Sequence, residues 1–255
     1  MKTLRWGRFM IIGILVIYFN CVLTNCVSLR QRWYVETYLN GTDFKPLHDT
    51  LFIDWIKGYN IPLTDTITLR DMVDICTYSW VLITILFWIT CHKDPKLMAK
   101  VLTAQLLLVP TFSISQLLTI VPDATPHCLE VYSIPNTKDI SWIFWKYPFR
   151  ACGNMLWSSD ITQLIIFTSV ATQMVSNRKP KCKWFVWLLG ECWTFLTIIF
   201  IFTAKYQYSV DVLSTIVVVK LAMSHHLLEH FAHYVFLHEG EYYQRAPLQE
   251  MVGTI

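Results

Sequence analysis

Cys152-Gly153-Asn154-Met155-Leu156-Trp157-Ser158-Ser159-Asp160-Ile161-Thr162 is where a polar, proline-bearing loop becomes the apolar run 155–175. A second stretch of similar make, Gln207-Tyr208-Ser209-Val210-Asp211-Val212, opens the run 209–224. Working outward from these two, four more apolar runs appear at 9–27, 72–91, 97–120 and 184–204. Six hydrophobic spans predict an all-α, multi-pass membrane bundle, with residues 1–255 as one membrane domain and 225–255 as its tail. The composition agrees: 54% apolar against 15% charged residues does not describe a soluble surface. The many Trp and Tyr side chains suit the headgroup region, because each has an apolar body and one polar atom. A net charge of +3, with its bases scattered over loops and span ends, gives no footprint for nucleic acid.

Lys2, Arg5 and Arg8 precede the run 9–27, which has the form of a signal sequence but is read as the first membrane helix, long enough to cross about 30 Å of hydrocarbon at about 1.5 Å per residue. Asn20 and Asn25 within it are costly against lipid and are expected to face other helices or the interface. Residues 28–71 read as a polar loop, broken by Pro46 and Pro62 and carrying a glycosylation sequon at Asn40-Gly41-Thr42. The turn His92-Lys93-Asp94-Pro95-Lys96 makes the second and third spans antiparallel neighbours. A second loop, 123–151, carries Trp142, Phe144, Trp145 and Tyr147, an aromatic group suited to anchoring at the interface. Bases concentrate at the N-terminus, in the turn after span two and in the turn 176–183. By the positive-inside tendency both termini are cytosolic, and Asn40, Cys128, Cys152, Asp160 and Asp211 lie at the outer face. Cys128 and Cys152 then share an aqueous side and are candidates for a disulfide, which an oxidising compartment would favour and the spacing alone does not settle.

The two helix-opening stretches carry a family signal. Residues 152–162 resemble the C-G-D-x-x-x-S-G-H-T motif of sphingomyelin synthases and related lipid phosphotransferases, with Asn154 for the acid and Asp160 for the histidine. Residues 207–212 resemble that family's H-Y-[ST]-x-D-V, with Gln207 for the histidine and Asp211 retained. Pro46-Leu47-His48-Asp49-Thr50 is similar to the family's P-L-P-D element. Ser115 to Pro122 lies where the family has T-x-x-V-T-x-L-P, with Phe112 in place of the arginine that begins it. The ordered set, rather than any one piece, carries the resemblance. It implies a lipid-phosphatase-like bundle with its site at the outer face. There the second motif's histidine takes the phosphocholine group, the aspartate one turn on orients it, and the other histidine handles the leaving-group proton.

In this chain neither histidine is present. An amide nitrogen has no available lone pair and no useful pKa, so Gln207 cannot form a phosphoryl intermediate or shuttle a proton. Asp160 and Asp211 would bring two carboxylates near one point, which calls for protonation of one, a bound cation, or a partner such as Lys205 just outside the last span. Asp160, Asp211, Lys205 and Tyr208 are therefore candidates for headgroup contact rather than catalysis. A separate signal lies in the tail, where His226, Glu229 and His230 fit the H-x-x-E-H pattern of inverted zinc peptidases, extended by His233. That short pattern arises easily in a histidine-rich helix, and no second ligand helix accompanies it.

Three functional readings follow. The leading one is a catalytically inactive relative of sphingomyelin synthase, kept as a lipid-binding or structural subunit that contacts phospholipids, sphingolipids or other membrane proteins. The second is an active ceramide phosphocholine or phosphoethanolamine transferase with a rearranged site, using Asp160 or Asp211 as general base. The third is a metal-dependent membrane enzyme using the histidine-rich tail. No soluble-cofactor motif and no phosphate-cradling glycine loop is seen, so no cofactor is expected. The sequon and outer cysteines suit an endomembrane or the plasma membrane, with the mitochondrial inner membrane as the alternative.

Overall fold

The computed structural model describes residues 6–38, 63–92, 95–119, 141–145, 157–203 and 207–236, which are helical with no strand among them. The helices are α1 (Trp6–Tyr38), α2 (Leu63–Phe87, continued by a π turn Trp88–His92), α3 (Pro95–Leu118) and the short α4 (Trp142–Trp145). They are followed by α5 (Ser159–Arg178), α6 (Lys183–Thr203, after a 3₁₀ turn Pro180–Cys182), α7 (Ser209–Ser224) and α8 (His226–Phe236).

Four segments are long and apolar enough to cross a membrane: Met10–Tyr38, Asp71–Thr90, Pro95–Leu118 and Pro180–Thr203. The other two expected spans form helices of a different kind. α5 carries Asp160, Thr162, Gln163, Thr168, Ser169, Thr172 and Gln173 along its length. It can do so because it is the central helix, packed against α2, α3, α6 and α7, so these polar groups meet protein rather than lipid. α7 has 16 residues, a length of roughly 24 Å that falls short of the roughly 30 Å hydrocarbon thickness.

Two expectations about loops are corrected. α1 runs on through residues 28–38, expected to be loop, because this stretch contains neither Pro nor Gly. An Arg32–Glu36 ion pair at i,i+4 (2.7 Å) adds to it. Likewise α2 begins at Leu63, immediately after Pro62. The tail begins with a helix: α8 lays one face on α3, where Ala232 packs with Ala99 and Leu102, and leaves His226, His230, Phe231 and Tyr234 exposed.

The core is built on α5, whose Ile161, Leu164, Ile166, Val170 and Met174 are almost completely buried against Val73, Ile201, Val212 and Val219 from its neighbours. Outward-facing positions of the same bundle are large and apolar, including Leu82 and Leu86 on α2, Phe185 and Phe195 on α6 and Leu213 and Leu221 on α7. That inversion, apolar outside as well as inside, fits a lipid surround.

Polar side chains in the bundle are used as inter-helix ties. Gln105 and Gln163 exchange amide hydrogen bonds between α3 and α5 (2.6 and 3.0 Å). Asn25 donates to the Ile143 carbonyl of α4 (2.9 Å), and Ser113 donates to Asn20 Oδ1 (2.8 Å), so both asparagines of α1 face protein as expected. Trp193 on α6 donates its indole N–H to the Cys76 carbonyl on α2 (2.8 Å) and stacks on Trp80. In hydrocarbon such groups have no water to turn to, so each tie fixes a helix pair. α5 and α6 approach closely at Gly190, where a Cβ would overlap the Thr168 side chain.

Candidate functional site

The start of α5, the start of α7 and the end of α3 meet at one end of the bundle. Ser158 is the N-cap of α5: its extended backbone lets its Oγ accept from the Ile161 N–H (3.3 Å). The Ser158 N–H donates to Thr215 Oγ1 (2.8 Å), and that hydroxyl donates to the Asp211 carbonyl (2.6 Å). Through this chain of bonds the segments 157–162 and 207–215 are held together. The sequence contains them 45 residues or more apart.

The third strand of the site comes from α3. Trp157 donates its indole N–H to Ser115 Oγ (2.6 Å), which donates to the Phe112 carbonyl (2.7 Å). The Phe112 ring stacks on Trp157, with centroids 4.4 Å apart and planes 10° apart. Where the resemblance would place a guanidinium there is a buried ring, fixed by another ring. Packing fills this position, and an Arg placed here would displace Trp157.

The two acids each take the first turn of a helix. Asp160 stands at the second helical position of α5 and is buried. Asp211 stands at the third position of α7, 1% exposed, and its Oδ2 accepts from the Tyr208 N–H (3.2 Å). A carboxylate at that position closes back on the N-cap backbone and lies at the positive end of the helix. Each acid therefore has local stabilisation from its own helix. Asp211, the residue that would orient an imidazole, here binds backbone.

Gln207 stands just before this turn. It is 4% exposed, and its Oε1 has no hydrogen-bond partner among the described residues. An amide oxygen so buried is an acceptor waiting for a donor. Among the described residues this end of the bundle carries no histidine; His225, His226 and His230 lie beyond the far end of α7. With Gln207, Tyr208, Ser209, Asp160 and Thr162 all buried, the site is a closed polar junction with an aromatic lid. Among the described residues its titratable groups are the two carboxylates, Asp160 and Asp211, and the Tyr208 phenol, and it holds no imidazole.

Asn154, Lys205, Asn40, Cys128 and Cys152 lie outside the described residues. Of the tail pattern, Glu229 accepts from Lys100 Nζ on α3 (2.8 Å), which ties α8 to the bundle. Among the described residues no group of three or more His, Cys, Asp or Glu gathers as a metal site. Sequence reading missed Thr215 altogether, and it quoted Trp157, Ser158 and Ser115 within motifs without giving them a role. Ser158 did carry a signal, a capping residue opening an apolar run. Comparisons with protein-family models, with curated proteins and with solved structures gave no match to this chain.

Proposed function

We propose that this is a multi-pass membrane protein resembling the sphingomyelin synthases in its arrangement but without transferase chemistry, serving as a lipid-binding or structural subunit. The observation that carries the reading is the convergence of three motif-like segments, around Ser115, Ser158 and Tyr208, at one end of the bundle. The positions that would need two imidazoles and a guanidinium hold Asp160, Gln207 and Phe112. Four helices of membrane-crossing length and composition are compatible with integral membrane insertion.

The packing supports this reading: Phe112 takes part in a ring stack and Asp211 in a helix cap. Gln207 carries a buried acceptor, and the Ser158 N–H and the Thr215 hydroxyl tie α5 to α7, as suits a structural junction. The test is transfer of phosphocholine and phosphoethanolamine to fluorescent ceramide by purified protein, with product resolved by chromatography. No product above the protein-free control is expected. Robust product lost on Asp211→Asn would favour the second reading, an active enzyme with a rearranged site.

A further inference from the structure

At the opposite end of the bundle a cavity of about 210 Å³ opens between α6 and α7, floored by α5. A space of roughly 150 Å³ already suffices for a benzene-sized ligand. Its lining is charged and polar at a depth where the helices are otherwise apolar. Glu191 is the only charged residue between Trp184 and Thr203 of α6, and Lys220 the only one in α7 beyond its first turn. They meet across the cavity, Lys220 Nζ lying 2.9 and 3.0 Å from the two Glu191 oxygens. The pair is not sealed: the Lys220 and Glu191 side chains are 46% and 29% exposed. Ionisable groups inside membrane helices face protein or a polar cavity and tend to mark where a ligand sits.

On the floor, Thr168 is 4% exposed and its Oγ1 is turned to Gly190, so the half-buried Ser169 is the hydroxyl that the cavity presents beside Lys220, while Trp187 offers a ring beside Glu191. The shortness of α7 matters here as well. A helix of roughly 24 Å draws the headgroup layer inward at its end, and the cavity lies at that end, next to Ser224.

We propose that this cleft takes the headgroup of a zwitterionic phospholipid, with the phosphate on Lys220 and the Ser169 hydroxyl and the ammonium on Glu191 and the Trp187 face. An anionic headgroup would satisfy Lys220 and be repelled by Glu191, and a cationic one the reverse. Only a ligand carrying both charges replaces what each partner loses when the pair opens. Aromatic rings favour an alkylated ammonium. The assignment rests on the membrane reading of the bundle and not on the loss of chemistry at the other end.

The experiment is native mass spectrometry of the full chain in detergent, with palmitoyl-oleoyl phosphatidylcholine, the matching phosphatidylglycerol and a cationic ethyl-phosphatidylcholine offered separately. The wild type should retain phosphatidylcholine at least about tenfold more strongly than either of the others, the size of one charge-assisted contact. The neutral pair E191Q/K220Q should bring the three lipids to within about twofold. S169A, which removes a cavity hydroxyl, should weaken phosphatidylcholine retention several-fold while leaving thermal stability unchanged; a purely structural Ser169 would not separate these readouts. Soluble glycerophosphocholine in excess should not displace the lipid. Equal retention of the three lipids by the wild type, undiminished phosphatidylcholine retention in both variants, or displacement by glycerophosphocholine would each overturn the proposal.

Discussion

Gly190→Ala tests the packing of the central helix pair. A Cβ at this position would meet Cγ2 and Oγ1 of Thr168 well inside van der Waals contact and its Cβ at 3.0 Å. Because Thr168 is branched at Cβ, turning χ1 moves one γ atom away and brings another substituent round, so rotation alone does not clear the space. α5 and α6 must separate, and α5 is the helix around which the core is built. Overpacking of this kind costs about 1–3 kcal/mol. Against it, replacing Gly by Ala in a helix gains up to about 1 kcal/mol of propensity. The net expectation is a loss of about 1–2 kcal/mol, read as an earlier thermal transition of detergent-solubilised protein followed by fluorescence size exclusion. Gly190→Leu should abolish the folded peak. The double change Thr168→Gly with Gly190→Ala moves the bulk from one helix to the other, and its coupling energy should be favourable by about 1 kcal/mol or more relative to the sum of the single changes. A Gly190→Ala protein as stable as the wild type, with no coupling in the double variant, would refute the close approach.

Other expectations follow from the hydrogen-bonded ties. Thr215→Val removes the acceptor for the Ser158 N–H, leaving a buried donor unsatisfied, and should cost about 1–3 kcal/mol in the same assay. Gln105→Leu or Gln163→Leu alone strands one amide of a reciprocal pair and should destabilise, whereas the double Leu variant should regain most of the loss. The six-span expectation is tested by labelling single cysteines introduced at residues 40 and 180: six crossings put them on opposite sides of the membrane, and reaction of both from one side would contradict that expectation. In a secretory membrane, glycosidase should raise gel mobility and Asn40→Gln should abolish that shift.

The helices were legible because apolar runs of this length leave little choice, and the prolines and basic turns mark most of their ends. Two features were not. The continuation of α1 through residues 28–38 is polar, and polarity was read as loop; the absence of Pro and Gly there was the better guide. The docking of α8 on α3 depends on Lys100, a basic residue near a span end that reads as a topology signal and serves also as the partner of Glu229. At the candidate site, sequence reading pointed to Asp160, Gln207 and Asp211 and did so from motif order. It could not foresee that Trp157 and Phe112, 45 residues apart, would stack and close the junction. Side-chain ties such as Gln105 with Gln163 are equally invisible in one sequence, because each residue alone reads as an ordinary polar position. Glu191 and Lys220 were passed over, though each carried a signal as a charge inside an apolar stretch of helix.

The most direct test of a transferase-like arrangement without its chemistry is phosphocholine transfer to ceramide by the purified chain in phosphatidylcholine-containing bilayers, measured with and without histidines restored by Asp160→His and Gln207→His. With no histidine at 160 or 207 the phosphohistidine route that the resemblance implies is closed, and general acid–base help alone is typically worth about 10²–10⁴-fold. The unmodified protein is therefore expected to show no turnover above the protein-free control. Turnover by the unmodified protein that disappears on Asp211→Asn would contradict the account.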